Sequence, residues 1–332
     1  MLAGMDTTAD LGSTTCGVWT RRQALAVRTR GQVQASLRSG TWVELWPRTY
    51  ADAGCTPDAV QRAVAAVLAT GGAVGPVAAG ARVGSYALGR TSARLHGLPL
   101  IDDDDPSTGA REHLLDEVGG WSGGGPWLHR LPDGGVRVLR RHRPRLGAGD
   151  LVRLDSGLWT TSLPRTLVDC AARLSLEALV CTVDHALHLH MIEPEDLVAV
   201  ARRRAWCPGA PRLLAAAELA DGRAESPAET LARLVLLPVL PGLVPQVRLL
   251  DAAGRPLARF DLGDERRRFA VEADGRRGHA GDAMLAKDQR RDRRTSASGW
   301  HTERVTWFEL RREQFELRRR VLSAAERHAR SR

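Results

Sequence analysis

Three acidic residues stand out in the stretch ARFDLGDERRRFAVEADGRRGH, residues 258–279. Asp261, Glu272 and Asp274 fall on two segments whose patterns predict adjacent strands. Carboxylates that share a partly buried place repel one another, so they need a cation nearby. The spacing leaves open whether that cation is a bound metal ion or a neighbouring arginine.

A divalent metal ion is the first candidate for this cation. Mg²⁺ or Mn²⁺ prefers hard oxygen ligands, which Asp261, Glu272 and the carbonyl of Ala273 would supply. Such an ion can activate a water molecule and stabilise charge that develops on a phosphodiester. Arginine is the second candidate, and spacing alone favours it because acids beside arginines are commonplace. The arginines near enough in sequence are Arg259, Arg266, Arg267 and Arg268.

The elements that would position these acids follow a composition break at DGRAESPAET. A helix is predicted from Ser226 to about Leu237, and Glu229 completes its capping box. Two strands flank the turn DAAG, and RRFAVEADG is a third strand. An arginine-rich helix over residues 282–298, the strand HTERVTWFEL and a terminal amphipathic helix complete the region. The predicted order is therefore helix, three strands, helix, strand and helix.

The N-terminal region has the pattern of a winged helix-turn-helix. Thr20 and Gln23 form a capping box before a short helix over residues 21–27, and a second helix is predicted over residues 31–38. The segment WVELWPRTY would be the β wing, and the second helix would enter the major groove of DNA. The side chains that this helix would present are Arg30, Gln32, Gln34 and Arg38. The alternative is a small helical domain that packs on its neighbour and touches no DNA.

The fold class expected from these patterns is α+β, with three folded regions after a disordered N-terminus at residues 1–16. The winged helix-turn-helix would occupy residues 17–75, a mixed α/β middle region 76–215, and the C-terminal region 222–332. A further helix of the first region has Thr56 as its expected cap and Pro57 at its first position.

Composition points to a nucleic-acid partner. The formal net charge is +9, and the sequence pI is about 10.4, as expected for a chain that binds a polyanion. The alternative is a basic surface that serves solubility alone. The five cysteines form no CxxC pair, which favours reduced thiols over disulfides or a zinc site. The N-terminus has no signal-peptide pattern, and the longest apolar run is broken by prolines. We therefore expect a cytoplasmic protein without a membrane segment.

Five segments of the C-terminal region together resemble the very-short-patch-repair-like endonuclease domains of the PD-(D/E)XK superfamily. In chain order they are SPAETLARLVL, ARFDL, AVEADGRRGH, KDQRRDRR and SGWHTERVTW. The resemblance implies a restriction-endonuclease-like αβββαβ core, a divalent metal and cleavage of double-stranded DNA. Asp261 and Glu272 would be metal ligands, Asp274 stands at the lysine position of the superfamily motif, and His279 would shuttle a proton. Glu229 matches an acidic residue of the first helix.

The departure at Asp274 leaves the motif without its usual cation. On the next helix, Lys287, Arg290 or Arg291 could substitute for the missing lysine. The phosphate clamp would then consist of Arg290, Arg291 and Arg294.

The first two-thirds of the chain resemble AbiEi-type antitoxins. The matching segments are VWTRRQALAV, LRSGTWVELWPRTYA, RTSARLHGLPL and LWTTSLPRTLVDCAA. This resemblance implies a winged helix that binds promoter DNA and a part that neutralises a toxin protein. Two hypotheses follow: a DNA-binding protein with a metal-dependent endonuclease domain, or an antitoxin-type transcriptional regulator. In the second, an inactive nuclease-like domain binds DNA or a partner protein.

Overall fold

Two short helices and a three-stranded sheet open the chain. The computed structural model describes residues 15–54, 56–76, 82–104, 115–120, 126–130, 135–251, 253–274 and 291–332. Strand β1 (Val18–Thr20) precedes α1 (Arg21–Val27) and α2 (Arg30–Arg38), and both helices begin with capping boxes. Strands β2 (Trp42–Trp46) and β3 (Thr49–Asp52) form an antiparallel hairpin, and the sheet order is β1-β3-β2.

Aromatic packing joins these elements. Trp19, Trp42 and Tyr50 are buried with Val33 of α2 in one apolar cluster. The guanidinium of Arg28 covers the Trp42 ring at 4.8 Å. The helices and the hairpin agree with the prediction from sequence, because their signals lie within a few residues of each other.

Helix α3 (Ala59–Ala69) begins differently from the prediction. Its cap is Asp58, whose side chain accepts a hydrogen bond from the backbone of Gln61, while Gln61 bonds back to the Asp58 backbone. The expected cap at Thr56 is therefore wrong. An Asp–Gln capping box satisfies two backbone donors at once, so it determines where the helix starts.

A six-stranded mixed sheet follows, in the order β6-β7-β5-β4-β9-β8. Its strands are β4 (Tyr86–Ala87), β5 (Leu115–Gly119), β6 (Trp127–Arg130), β7 (Val136–His142), β8 (Leu151–Arg153) and β9 (Trp159–Thr161). The helices that accompany or follow it are α4 (Gly89–Leu95), α5 (Leu163–Ala171), α6 (Leu176–His188), α7 (Pro194–Arg203) and α8 (Ala210–Leu219). Helices and mixed sheets together confirm the α+β class.

A four-stranded sheet in the order β10-β11-β12-β13 forms the centre of the C-terminal region. After α9 (Pro227–Leu236), strands β10 (Val244–Leu250), β11 (Pro256–Asp264) and β12 (Phe269–Asp274) are antiparallel neighbours. Residues 291–297 are helical, and β13 (His301–Thr306) pairs parallel to β12. Helices α10 (Trp307–Arg312) and α11 (Gln314–Arg330) end the chain.

The chain divides into two compact units. The first comprises residues 1–175 and 197–213, and the second comprises residues 176–196 and 214–332. The predicted middle region 76–215 is therefore divided between the two units. Within the second unit, Asp184 of α6 accepts hydrogen bonds from Thr230 at 2.8 Å and Arg233 at 2.9 Å, which joins α6 to α9.

Candidate functional site

Asp261 of β11 and Glu272 of β12 are the next residues in register after the last ladder pair of these two strands. The two strands pair with Leu262 against Val271, so one further step of the register places the two carboxylates together on one face. The backbone N–H of Ala273 donates to Oδ2 of Asp261 at 2.9 Å. Strand pairing therefore brings together two acids that are eleven positions apart in the sequence.

Gln246 of β10 contributes a third oxygen to the same part of the sheet. It lies between the pairs Pro245–Leu262 and Val247–Phe260, where the register faces Asp261. Its Nε2 donates to Oε2 of Glu229 at 2.8 Å. Its Oε1 is buried and has no hydrogen-bond partner among the residues that the structure describes.

The backbone of Gln246 is also strained. Its φ is 58°, in the left-handed region that glycine adopts easily and a glutamine rarely adopts. Strained backbone and an unpaired buried oxygen each cost free energy, on the order of 1–3 kcal/mol. Gln246 therefore has both a strained backbone and an unpaired oxygen, and it lies against Glu229 and in register with Asp261.

Glu229 serves both as a cap and as a neighbour of the cluster. Its carboxylate accepts from the Ser226 hydroxyl at 2.8 Å and from the backbone N–H of Glu225 at 2.9 Å. Its charge also raises the pKa of Asp261. The capping role expected from sequence is therefore present, together with an electrostatic effect on the acid pair.

The Asp261 carboxyl has a raised pKa. Burial, first, and the charge of Glu229 raise its pKa to about 6. The Ala273 N–H and the charges of Arg291 and Arg259 act in the opposite direction. A carboxylate that is short of compensating positive charge is a good ligand for a cation.

Arg291 provides the arginine contact that the alternative interpretation needs. Its guanidinium forms an ion pair with Glu272 and donates to the carbonyl oxygen of Arg259 at 2.8 Å. Two of the four arginines that sequence proximity suggested have other carboxylate partners: Arg259 pairs with Glu225 at 2.6 Å, and Arg267 with Asp264 at 2.9 Å.

The other predicted residues of this site have separate positions. Asp274 is exposed at the end of β12, where it pairs in register with Thr306, and Arg294 is exposed on the helical segment 291–297. His279, Lys287 and Arg290 lie outside the described residues. Within the described ranges, no group of three or more His, Cys, Asp or Glu side chains is arranged to hold a metal ion.

The predicted recognition helix exposes a basic face. Arg30, Gln34 and Arg38 are exposed at intervals of four on α2, which places them on one side of the helix. Gln32 is exposed too, but its Oε1 accepts from the backbone N–H of Thr29 at 2.8 Å as part of the capping box.

A groove beside this helix contains Arg30, which the sequence predicted, and three arginines that it did not predict. It encloses about 690 Å³ between α1, the β2–β3 turn and α3. The arginines that line it are Arg21, Arg22, Arg30 and Arg48. Arg48 has a φ of 67° in the turn, and its carbonyl accepts from the backbone N–H of Arg21 at 2.7 Å.

Comparison with known proteins finds distant relatives of undetermined function. The chain is 29% identical over 299 residues to the uncharacterized proteins MT2308 and Rv2248 of Mycobacterium tuberculosis, strains CDC 1551 / Oshkosh and ATCC 25618 / H37Rv. The match covers 88% of this chain and 96% of each relative, so it extends through both units. No family model and no solved structure matches the chain. No helix of the described residues is long and apolar enough to cross a membrane.

Proposed function

We propose that this chain is a cytoplasmic DNA-binding protein whose second unit hydrolyses DNA phosphodiester bonds with a divalent metal ion. The observation that carries the proposal is the register of the sheet, in which Asp261 of β11 faces Gln246 of β10 on one side and Glu272 of β12 on the other. The strand register brings Asp261 and Glu272 together, and Gln246 adds a buried carboxamide oxygen that has no hydrogen-bond partner among the described residues.

The donor set suits a hard divalent cation. Carboxylate and carboxamide oxygens are the ligands that Mg²⁺ and Mn²⁺ accept, and the carbonyl of Ala273 is a further candidate. The Oε1 of Gln246, which has no partner in the described part of the chain, would gain one. A bound cation would also offset the burial and the Glu229 charge that raise the pKa of Asp261. When bound, the ion would supply an activated water and stabilisation of charge on the phosphodiester.

The protein's own groups would orient the ligands and the DNA. Glu229 holds the amide of Gln246 through Nε2, which directs Oε1 away from Glu229. Arg291 would exchange its ion pair with Glu272 for a phosphate oxygen, because a guanidinium binds phosphate with two parallel hydrogen bonds. The arginines of α2 and of the adjacent groove would hold duplex DNA.

One observation favours the second candidate, an antitoxin-type transcriptional regulator whose nuclease-like unit has no turnover. The ion pair between Arg291 and Glu272 neutralises one carboxylate of the pair without a metal. In addition, an acid, Asp274, stands where a catalytic cation would be expected. In this case the second unit would bind DNA or a protein partner such as a toxin.

Plasmid nicking separates the two candidates. Supercoiled DNA is incubated with the purified chain in Mg²⁺, in Mn²⁺ or in EDTA, beside Asp261→Asn and the control Glu265→Gln, which removes an exposed carboxylate of the β11–β12 turn. For a nuclease we expect metal-dependent nicking that is lost in Asp261→Asn and kept in Glu265→Gln. DNA binding without nicking by any of these proteins would support the regulator, and Asp261→Ala should then leave DNA affinity unchanged or raised.

A further inference from the structure

A second, separate cleft lies in the first unit. It encloses about 370 Å³ between α5, the end of β7 with the three residues after it, and the turn 206–209 before α8. We name it the arginine cleft after four of its lining residues, Arg143, Arg145, Arg165 and Arg173. The other two lining residues that matter for its chemistry are Asp169 and Trp206.

The floor of the arginine cleft is a buried ionic network. Arg165 is 3% exposed, and its guanidinium contacts Asp150 at 2.9 Å and Asp169 at 3.1 Å. The same guanidinium donates to the carbonyl oxygen of Arg145 at 2.6 Å. Arg204 also pairs with Asp150. Because every member is held by several bonds, the position of Arg165 is determined before any ligand arrives.

Glu117 of β5 holds Arg173, another arginine that lines the cleft. This fully buried carboxylate accepts from Arg173 at 2.9 Å, from His142 at 3.1 Å and from the backbone N–H of Arg90 at 2.8 Å. Burial alone would raise the pKa of Glu117, but these donors lower it to about 2. Gly89 is required beside it, because a Cβ there would collide with the carboxylate and its φ is 54°.

The rim of the cleft differs from its floor because its side chains are exposed to solvent. Arg143 and Arg145 are exposed, and within the described part of the chain neither guanidinium has a hydrogen-bond or ion-pair partner. Trp206 is 51% exposed, an unusual state for an indole, and its ring lies 5.9 Å from Cζ of Arg165. The carboxylates Asp150, Asp169 and Glu117 balance the charges of Arg165, Arg173 and Arg204, so the positive charges of Arg143 and Arg145 remain uncompensated in the described part of the cleft.

We propose that the arginine cleft binds a nucleotide, with the base stacked on Trp206 and the phosphate held by Arg143 and Arg145. A volume of about 370 Å³ suits a small ligand. Free guanidiniums select a phosphate, and an exposed indole selects a flat ring. A nucleotide has both groups, whether it is free in solution or is the 5′-phosphorylated end of a DNA strand. This site lies in the first unit and does not depend on the proposed nuclease.

Isothermal titration calorimetry of the full chain in EDTA tests the proposal, because EDTA prevents metal-dependent cleavage of the DNA probe. The probes are AMP, adenosine, inorganic phosphate and a 5′-phosphorylated DNA tetranucleotide. The variants are Trp206→Ala and Arg143→Ala/Arg145→Ala. The control is Arg140→Ala, which removes an exposed arginine of β7 that does not line the cleft.

We expect AMP or the tetranucleotide to bind at least about tenfold more tightly than phosphate or adenosine, since only they fill both subsites. Each cleft variant should weaken that binding about tenfold, with Arg140→Ala unchanged. Binding of AMP identifies a free nucleotide as the ligand, and binding of the tetranucleotide alone identifies a strand end. Equal affinity for phosphate and AMP, equal loss in Arg140→Ala, or no binding of either nucleotide probe at millimolar concentration would overturn the proposal.

Discussion

Nε2 of Gln246 lies 2.8 Å from Oε2 of Glu229, and this contact determines which way the carboxamide points. A reversed amide would bring its oxygen against a carboxylate, so the nitrogen must face Glu229. The buried Oε1 is consequently left without a partner among the described residues. The contact joins helix α9 to β10, the strand that pairs with β11 beside Asp261.

Replacement of Gln246 by glycine should separate metal binding from stability. Gln246→Gly relieves the strain of a φ of 58° and removes the unpaired oxygen, while it loses one hydrogen bond. These effects offset, so the free energy of unfolding in EDTA should change by less than about 1 kcal/mol. The affinity for Mn²⁺, measured by calorimetry, should fall about tenfold because one oxygen ligand is gone.

Arg268→Gly is the matched control for this substitution. Arg268 has a φ of 46° in the turn between β11 and β12, so glycine relieves a similar strain there. Its affinity for Mn²⁺ should equal that of the parent chain. Equal Mn²⁺ affinity in Gln246→Gly would show that the carboxamide is not a ligand.

The raised pKa of Asp261 predicts a pH dependence of stability. The pKa is about 6 in the folded chain and 3.8 as the ordinary value, so folding favours the protonated acid. The resulting contribution to stability is fully present below pH 3.8 and is lost as the pH rises through about 6. Asp261→Asn, which is never charged, should be more stable than the parent above pH 6, on the order of 1–3 kcal/mol.

Melting curves between pH 4 and pH 8 in EDTA measure this difference. The difference in melting temperature between Asp261→Asn and the parent should grow as the pH rises to about 6 and stay nearly constant above that. Addition of Mn²⁺ at pH 7.5 should raise the melting temperature of the parent and leave Asp261→Asn unchanged. A variant that melts below its parent at pH 7.5 in EDTA would contradict the proposed electrostatic strain.

Arg291 should compete with a metal ion for Glu272. Removal of its guanidinium makes the acid pair more negative, so Arg291→Ala should bind Mn²⁺ more tightly, by roughly fivefold or about 1 kcal/mol for a partly exposed ion pair. Arg294→Ala removes an exposed arginine of the same helical segment and should have no such effect. Calorimetric titration of both variants with Mn²⁺ tests this prediction. Equal Mn²⁺ affinity in Arg291→Ala and the parent chain would exclude competition at Glu272.

The buried network of the first unit should stabilise its fold. Arg165→Ala leaves Asp150 and Asp169 short of a cation in a buried place, which costs about 3–5 kcal/mol. The melting temperature should fall by roughly 10 °C. Arg153→Ala, at an exposed position of β8, should change it by no more than about 2 °C. A similar small change in Arg165→Ala would mean that the network does not stabilise the unit.

The N-terminal groove should contribute phosphate contacts to DNA binding. Arg30→Ala and Arg48→Ala each remove one lining guanidinium, so each should weaken binding to unrelated duplexes about equally. The slope of log affinity against log salt should fall by about one for each lost contact. Fluorescence anisotropy in EDTA over a range of salt concentrations measures both effects, with Arg153→Ala as the control. Unchanged slopes would place the DNA contacts elsewhere.

Local signals in the sequence were sufficient for most of the helices and strands. Capping boxes such as Thr20 with Gln23 act across three residues, and the DAAG turn brings β10 and β11 together. The error at Thr56 arose because Asp58, two residues later, forms a complete box with Gln61. Because these signals are short-range hydrogen bonds, the elements could be predicted from the sequence without any tertiary information.

The composition and order of residues also indicated which acids to examine, but not their partners. Only the strand register places Asp261 opposite Glu272, because a shift of one residue would move either carboxylate to the other face. Gln246 carried no sequence signal beyond one polar residue in a strand, since its burial and its φ are set by neighbouring strands. The arginine cleft likewise joins β5, β7, α5 and the turn before α8, so its charges meet through long-range packing that no local pattern encodes.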